Sequence, residues 1–246
     1  VISVRRFFVI GAQRSGTTLL HRVLAQHPRV AMNEPVRPEP RTFLDEASTQ
    51  LDVDAYDRRL FAHAGDVAAR GEKGTTYVEH PDVGARILAR FPDAVFLVMV
   101  RDPVDRAFSN YDFTAGHGLE DLSPARALTV EAEARPWRHL GTSTSPFLYL
   151  RRGQYVDHLD RWAQVVDRDR MLVVPLGELE QRLEAVQRFV GVTPWPGISV
   201  PPRVNASRPV ATLEERDRLR PVLAEHFRPY NVALAERWGV RVDGWA

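Results

Sequence analysis

A short apolar run, Phe7-Phe8-Val9-Ile10, passes directly into Gly11-Ala12-Gln13-Arg14-Ser15-Gly16-Thr17-Thr18, and apolar residues then recur at helical spacing (Leu19, Leu20, Val23, Leu24) until His27-Pro28. Strand, glycine loop and helix in that order leave few folds open. Backbone N–H groups in such a loop converge at a helix N-terminus, where the helix dipole favours negative charge, so the segment predicts an anion cradle and not a bare turn. Gly11 and Gly16 permit the tight path, Ser15, Thr17 and Thr18 add hydroxyl donors, and Arg14 adds a permanent cation.

The rest of the chain repeats the alternation. Pro81 to Phe91 reads as a helix, Ala94 to Val100 as a strand apolar on both faces, and Asp102-Pro103 as an N-cap followed by a first-turn proline. Tyr155, Leu159, Trp162 and Val166 form the stripe of another helix. Met171 to Val174 is a third strand, and Leu179 to Val190 a helix stopped by Gly191. Thr212 to Glu215 is a capping box opening a helical region that Pro221 and Pro229 are expected to break. This pattern predicts an α/β fold, a central parallel sheet flanked by helices, with ligands beyond the carboxyl ends of the strands. No repeat or linker divides residues 1–246, which read as a single domain.

Composition narrows the chemistry. The 33 basic and 32 acidic residues leave a net charge of +1, so no broad basic field recruits nucleic acid or anionic membrane. Cysteine is absent, which excludes disulfides, thiolate catalysis and cysteine-bearing metal sites. The histidines show no ligand-like spacing, so no metal is expected. No apolar run approaches the ~20 residues that cross a bilayer, and Val1 to Ile10 lacks the apolar region and cleavage site of a signal peptide, so a cytoplasmic protein is expected. Lysine occurs once, at Lys73, against an otherwise all-arginine basic set.

The nucleotide-hydrolysing P-loop reads G-x-x-x-x-G-K-[ST]. Gly11 and Gly16 keep its spacing, but Thr17 stands at the lysine position and the cation moves inside the loop, to Arg14. That departure counts against a kinase and suits transfer of a group less charged than a γ-phosphoryl. A second anion site is predicted at Arg101, in Val100-Arg101-Asp102-Pro103, with Ser109 reaching from the following helix. Two such sites call for a ligand phosphorylated at both ends.

These motifs resemble those of the sulfotransferases that use 3′-phosphoadenosine 5′-phosphosulfate (PAPS). Gln13-Arg14-Ser15-Gly16-Thr17-Thr18 is similar to the family's 5′-phosphosulfate loop, and Arg101 with Ser109 to its 3′-phosphate motif. The variety resembled is bacterial enzymes like the sulfotransferase domain of heparan N-deacetylase/N-sulfotransferase. Arg37-Pro38-Glu39-Pro40-Arg41, Gly71-Glu72-Lys73-Gly74-Thr75, Arg152-Gly153-Gln154-Tyr155 and His158-Leu159-Asp160-Arg161-Trp162 extend the likeness. It implies a P-loop-like sulfotransferase fold, PAPS as donor, adenosine 3′,5′-bisphosphate (PAP) as product, no metal, and a small-molecule or carbohydrate acceptor. The cysteine pair of the heparan enzymes is missing. A C-terminal donor loop is placed at Val204-Asn205-Ala206-Ser207-Arg208-Pro209, with Arg208 as its cation.

Sulfuryl transfer requires a deprotonated acceptor, an SO3 group held in line and charge balanced on the departing phosphate. The resemblance gives the last task to Arg14 and the loop, and sets Lys73 near the reaction centre; the alternative for Lys73 is a surface ion pair with Glu72. Three groups are candidates for the base: Glu39, Glu34 and His158. The competing readings are a P-loop nucleotide kinase and a nucleotide-binding module without turnover.

Overall fold

The computed structural model describes residues 4–140, 144–201 and 208–245. The chain divides into two compact units, Val1–Val100 with His158–Val204, and Arg101–Asp157 with Asn205–Ala246.

The first unit is built on a five-stranded sheet. Its strands are β1 (Arg5–Gly11), β2 (Val30–Met32), β3 (Ala69–Lys73), β4 (Val95–Val100) and β5 (Met171–Pro175), in the order β2-β3-β1-β4-β5. Every neighbouring pair is parallel. All six residues of β4 are buried, as a strand covered on both faces requires. Alternation along β1 divides the core. Phe7 and Val9 pack with Leu20, Leu97 and Val186 on one face. On the other, Phe8 meets Phe43 edge-on at 5.5 Å and Phe96 at 6.0 Å, and Phe96 meets Trp162 at 5.3 Å. The helices of this unit are α1 (Thr17–Leu24), α2 (Val53–Leu60), α3 (Asp82–Arg90) and α7 (Leu183–Phe189), while α6 (Tyr155–Trp162) carries the chain into it.

The second unit holds α4 (Pro103–Gly116), α5 (Pro124–Ala127) and α8 (Leu213–Trp238) around a core of Val104, Phe108, Tyr111, Tyr149 and Phe227. Asp102 caps α4, its Oδ1 accepting from the Val104 N–H at 2.8 Å. The capping box at Thr212 and Glu215 is formed.

Two expectations need correction. The region after Thr212 is one helix that runs through Pro221 and Pro229. Each proline removes a single intrahelical hydrogen bond, while Leu223, Phe227 and Leu234 anchor the helix by burial along its length. The helix expected over Leu179 to Val190 spans only Leu183–Phe189. Strands β2 and β3, unforeseen from the sequence, complete the sheet on the side of β1 away from β4.

Candidate active site

In the first unit the glycine loop leaves the end of β1. The Ala12 N–H donates to the Met99 carbonyl of β4 at 2.8 Å, tying the loop's start to the neighbouring strand. Arg14 and Gly16 both take left-handed backbone conformations, with φ of 65° and 87°. At Gly16 a Cβ would meet only the movable end of the Leu176 side chain, so it is the left-handed backbone that favours glycine there. Ser15 and Thr17 are buried, and Thr17 opens α1. Gln13 donates to Glu79 at 3.3 Å, linking the loop to the 3₁₀ turn Tyr77–Glu79.

Strand pairing brings a second group of side chains beside this loop. Val9 of β1 is in register with Lys73 of β3, and the Gly74 N–H donates to the Val9 carbonyl at 3.0 Å. Lys73 therefore stands at the carboxyl end of its strand, next to the point where β1 enters the loop. Its side chain is 1% exposed, and its Nζ pairs with Glu39 Oε1. The other oxygen, Oε2, accepts from the Thr75 N–H and the Thr75 hydroxyl, each at 2.8 Å. Glu39 keeps 21% of its side chain open to solvent. The donors on both oxygens fix the orientation of this carboxylate, and one side of it stays open to an approaching group.

Asn33, fully buried just after β2, holds these pieces together. Its Oδ1 accepts from the Lys73 N–H at 2.8 Å, its amide group donates to the Pro35 carbonyl at 3.0 Å, and its own N–H donates to the Gly71 carbonyl at 2.8 Å. His21 of α1 lies 3.0 Å from the Asn33 carbonyl, so its Nε2 carries the hydrogen. Burial is the main cause of the lowered His21 pKa, the Asn33 contact opposes it, and the Lys73 charge adds to it.

The alternative ion pair of Lys73 with Glu72 is not formed. Neighbouring strand residues face opposite ways, and the Glu72 carboxylate accepts from Tyr56 at 2.6 Å and Tyr77 at 2.5 Å. Burial pushes Glu72 up to about 7, against the two phenol hydrogen bonds. The other two candidate bases are placed differently from Glu39. Glu34 is 66% exposed, with His63 3.7 Å away. His158 is buried, its Nδ1 2.8 Å from Arg161 Nη2, which makes that nitrogen an acceptor.

In the second unit, Arg101 follows β4 and precedes α4. Tyr155 fixes its backbone, accepting from the Arg101 N–H at 3.3 Å and donating to its carbonyl at 2.8 Å. Its guanidinium lies 3.4 Å from Asp105, which Arg220 holds at 2.7 Å. Burial alone would raise the Asp105 carboxyl; the Arg220 and Arg101 charges overcome it and hold it low. Ser109 stands one turn beyond Asp105 on the same face of α4. Arg208 is exposed, and Val204, Asn205, Ala206 and Ser207 of the expected donor loop lie outside the described residues.

Sequence reasoning gave no role to Asn33, Thr75 or His21. Thr75 lay inside a matched segment, but Asn33 left no signal beyond a polar residue closing a buried run. Among the described residues no group of three or more His, Asp and Glu is placed to hold a metal, and no helix is long and apolar enough to cross a membrane.

A parallel sheet, a glycine loop without the P-loop lysine, and a lysine–glutamate pair beside it make this an α/β protein with a P-loop-like strand, loop and helix. The chain belongs to the sulfotransferase family, whose model matches residues 6–73 and 44–195. It is 27% identical over 197 residues to human bifunctional heparan sulfate N-deacetylase/N-sulfotransferase 2, covering 77% of this chain and 22% of that protein. It is 30% identical over 192 residues to human heparan sulfate glucosamine 3-O-sulfotransferase 3B1, covering 75% and 45%. The chain thus spans about a fifth of the length of the first of these relatives. Among solved structures, a sulfotransferase from Alicyclobacillus acidocaldarius superposes with a TM-score of 0.75 at 25% identity over 99% of both chains. The sulfotransferase domain of the Synechococcus PCC 7002 olefin synthase shares the fold at a TM-score of 0.56 and 17% identity, over 96% of this chain and 94% of that one.

Proposed function

We propose that the chain transfers a sulfuryl group from PAPS to a hydroxyl or amine of a carbohydrate or small-molecule acceptor, without a metal. The observation that carries this reading is the Glu39 carboxylate held by Lys73 and Thr75 at the strand ends beside the glycine loop. Family membership favours it over a nucleotide kinase. The carbohydrate acceptor is suggested by the heparan sulfate relatives.

In this reaction Glu39 takes the proton of the acceptor as its oxygen or nitrogen attacks sulfur. The bond from sulfur to the 5′-phosphate oxygen breaks, its electron pair stays on that oxygen, and PAP departs. Lys73 serves the sulfuryl and leaving oxygens, a point charge where three donors are useful. The loop N–H groups, Gln13, Ser15, Gly16, Thr17 and Thr18, with Arg14, bind the 5′-phosphosulfate. Arg101 and Ser109 bind the 3′-phosphate, and Arg208 contributes to the donor site. His158, its Nδ1 occupied by Arg161, serves acceptor contact better than proton removal.

Thermal shift with PAP, ATP with magnesium, and ADP tests the donor. At ~100 times its dissociation constant a ligand adds ~2.7 kcal/mol of stability. PAP is expected to stabilise most, with no magnesium requirement. Preferential stabilisation by ATP with magnesium would return the chain to the kinase reading. Stabilisation by PAP without sulfuryl transfer from labelled PAPS to any acceptor in a sugar and small-hydroxyl panel would favour a binding module.

A further inference from the structure

Behind the Glu39–Lys73–Thr75 centre, on the opposite face of β3, lies a buried cluster that the proposed chemistry does not use. Glu72 is 1% exposed and accepts from Tyr56 of α2 and from Tyr77. The Tyr77 oxygen has a second task, accepting from the Phe43 N–H at 3.3 Å. Phe43 lies four residues beyond Glu39, in the segment that carries it. The same segment is pinned by Arg59, which donates to the Thr42 hydroxyl at 2.7 Å. The Tyr77 backbone closes the turn that begins at Gly74, its N–H donating to the Gly74 carbonyl at 3.0 Å, and that turn presents Thr75 to Glu39. The ring packs so closely on Gly74 that a Cβ there would sit 2.7 Å from Tyr77 Cδ2.

We infer that Glu72 is a positioning residue for this centre: by taking both phenol hydrogens it fixes Tyr77, and Tyr77 holds the Glu39 and Thr75 segments in register. The inference rests on the reading of Glu39 and Thr75 given above. A carboxylate is acceptor-only and can take both phenols. Once protonated, the carboxyl gains a donor of its own and loses acceptor capacity, so the two phenol contacts no longer meet an acceptor-only group. Apart from the two phenols, the charges that bear on Glu72 are Arg59 of α2, which favours its ionised form, and Glu39, which opposes it. Its titration near 7 makes the link measurable in an ordinary buffer range.

The test is carbon-13 NMR of the full chain labelled at glutamate carboxyl carbons, with Glu39→Gln and Glu72→Gln supplying the assignments. In the wild type the Glu39 carbon is expected to show an inflection at the pH where Glu72 titrates. Tyr77→Phe should shrink that inflection to the direct effect of the Glu72 charge on Glu39 while Glu72 still titrates, and Tyr56→Phe should shift the Glu72 titration but keep the inflection at full size. At fixed pH, Tyr77→Phe and Glu72→Gln should speed exchange of the Thr75 amide ~10-fold, with the Val9 and Val98 amides unchanged. A Glu39 carbon indifferent to Glu72, or an inflection undiminished in Tyr77→Phe, overturns the inference, and the wild-type titration decides even if Glu72→Gln does not fold. No donor or acceptor is needed. Full turnover in Glu39→Gln would instead overturn the catalytic reading beneath it, which separates the two failures.

Discussion

Lys73 and Glu39, 34 residues apart in sequence, share one ion pair in which the lysine is almost wholly enclosed and the glutamate remains partly open. The asymmetry matters for both chemistry and stability. An acceptor approaching from solvent meets the carboxylate first, while the ammonium stays dry and electrostatically strong.

Glu39→Gln keeps the side chain's shape and removes its basicity. Turnover is expected to fall ~10²–10⁴-fold with PAP affinity near wild type. Glu34→Gln, at an exposed carboxylate, should lose far less. Steady-state rates and PAP calorimetry on both variants check this, and a dead Glu34→Gln beside an active Glu39→Gln would exchange their roles.

Stability should respond unequally to loss of either partner. Glu39→Ala strands a buried ammonium and is expected to cost about 3 kcal/mol, whereas Lys73→Met leaves a carboxylate that water and Thr75 still serve and should cost under about 1 kcal/mol. Urea titrations at pH 7.5 measure the difference. Equal losses would mean that water reaches Lys73 freely.

Glu72 predicts a slope of stability with pH. Between its ordinary 4.5 and about 7, the folded protein keeps a proton that the unfolded chain has released. Stability is therefore highest at the acid end of this window and falls as pH rises, by about 3 kcal/mol in total. Glu72→Gln should lose this component. Denaturation at pH 5, 6, 7 and 8 gives the slope directly, and identical slopes in both proteins would refute the assignment.

Arg101→Ala should weaken PAP binding ~10–150-fold, the loss of a charge-assisted fork worth ~1.5–3 kcal/mol, with little change in fold. Calorimetry reads this. Unchanged affinity would remove Arg101 from the 3′-phosphate role and leave it as the partner of Asp105.

The parts of the fold legible in sequence were those whose burial is written in apolar residues: β1, β4 and β5, and the stripe of α6. Strand β3 was missed because Ala-Arg-Gly-Glu-Lys looks like surface, although Glu72 and Lys73 are buried. Their burial is made tolerable by partners at Tyr56, Tyr77 and Glu39, none adjacent in the chain, and no local pattern encodes such pairing. Strand β2 is only three residues long, too short for any period to register. The prolines of α8 misled because their cost is local whereas the helix's support comes from Phe227 and Leu234, farther along it. The glycine loop was read from its own residues, and the Glu39 and Lys73 segments were picked out by resemblance. Asn33 was not, because its four hydrogen bonds arise only when the sheet is assembled.

The lone lysine gives the molecule a built-in chemical address. With every other basic side chain a guanidinium or imidazole, amine-directed electrophiles such as aldehydes used with a hydride reductant have one side-chain amine to find, and it lies inside the candidate centre behind Glu39. Reagents large enough to be excluded should leave that amine untouched. Small ones should mark it at a rate set by how often the glutamate lets go, so the labelling clock of a single residue would report the opening of the site in real time.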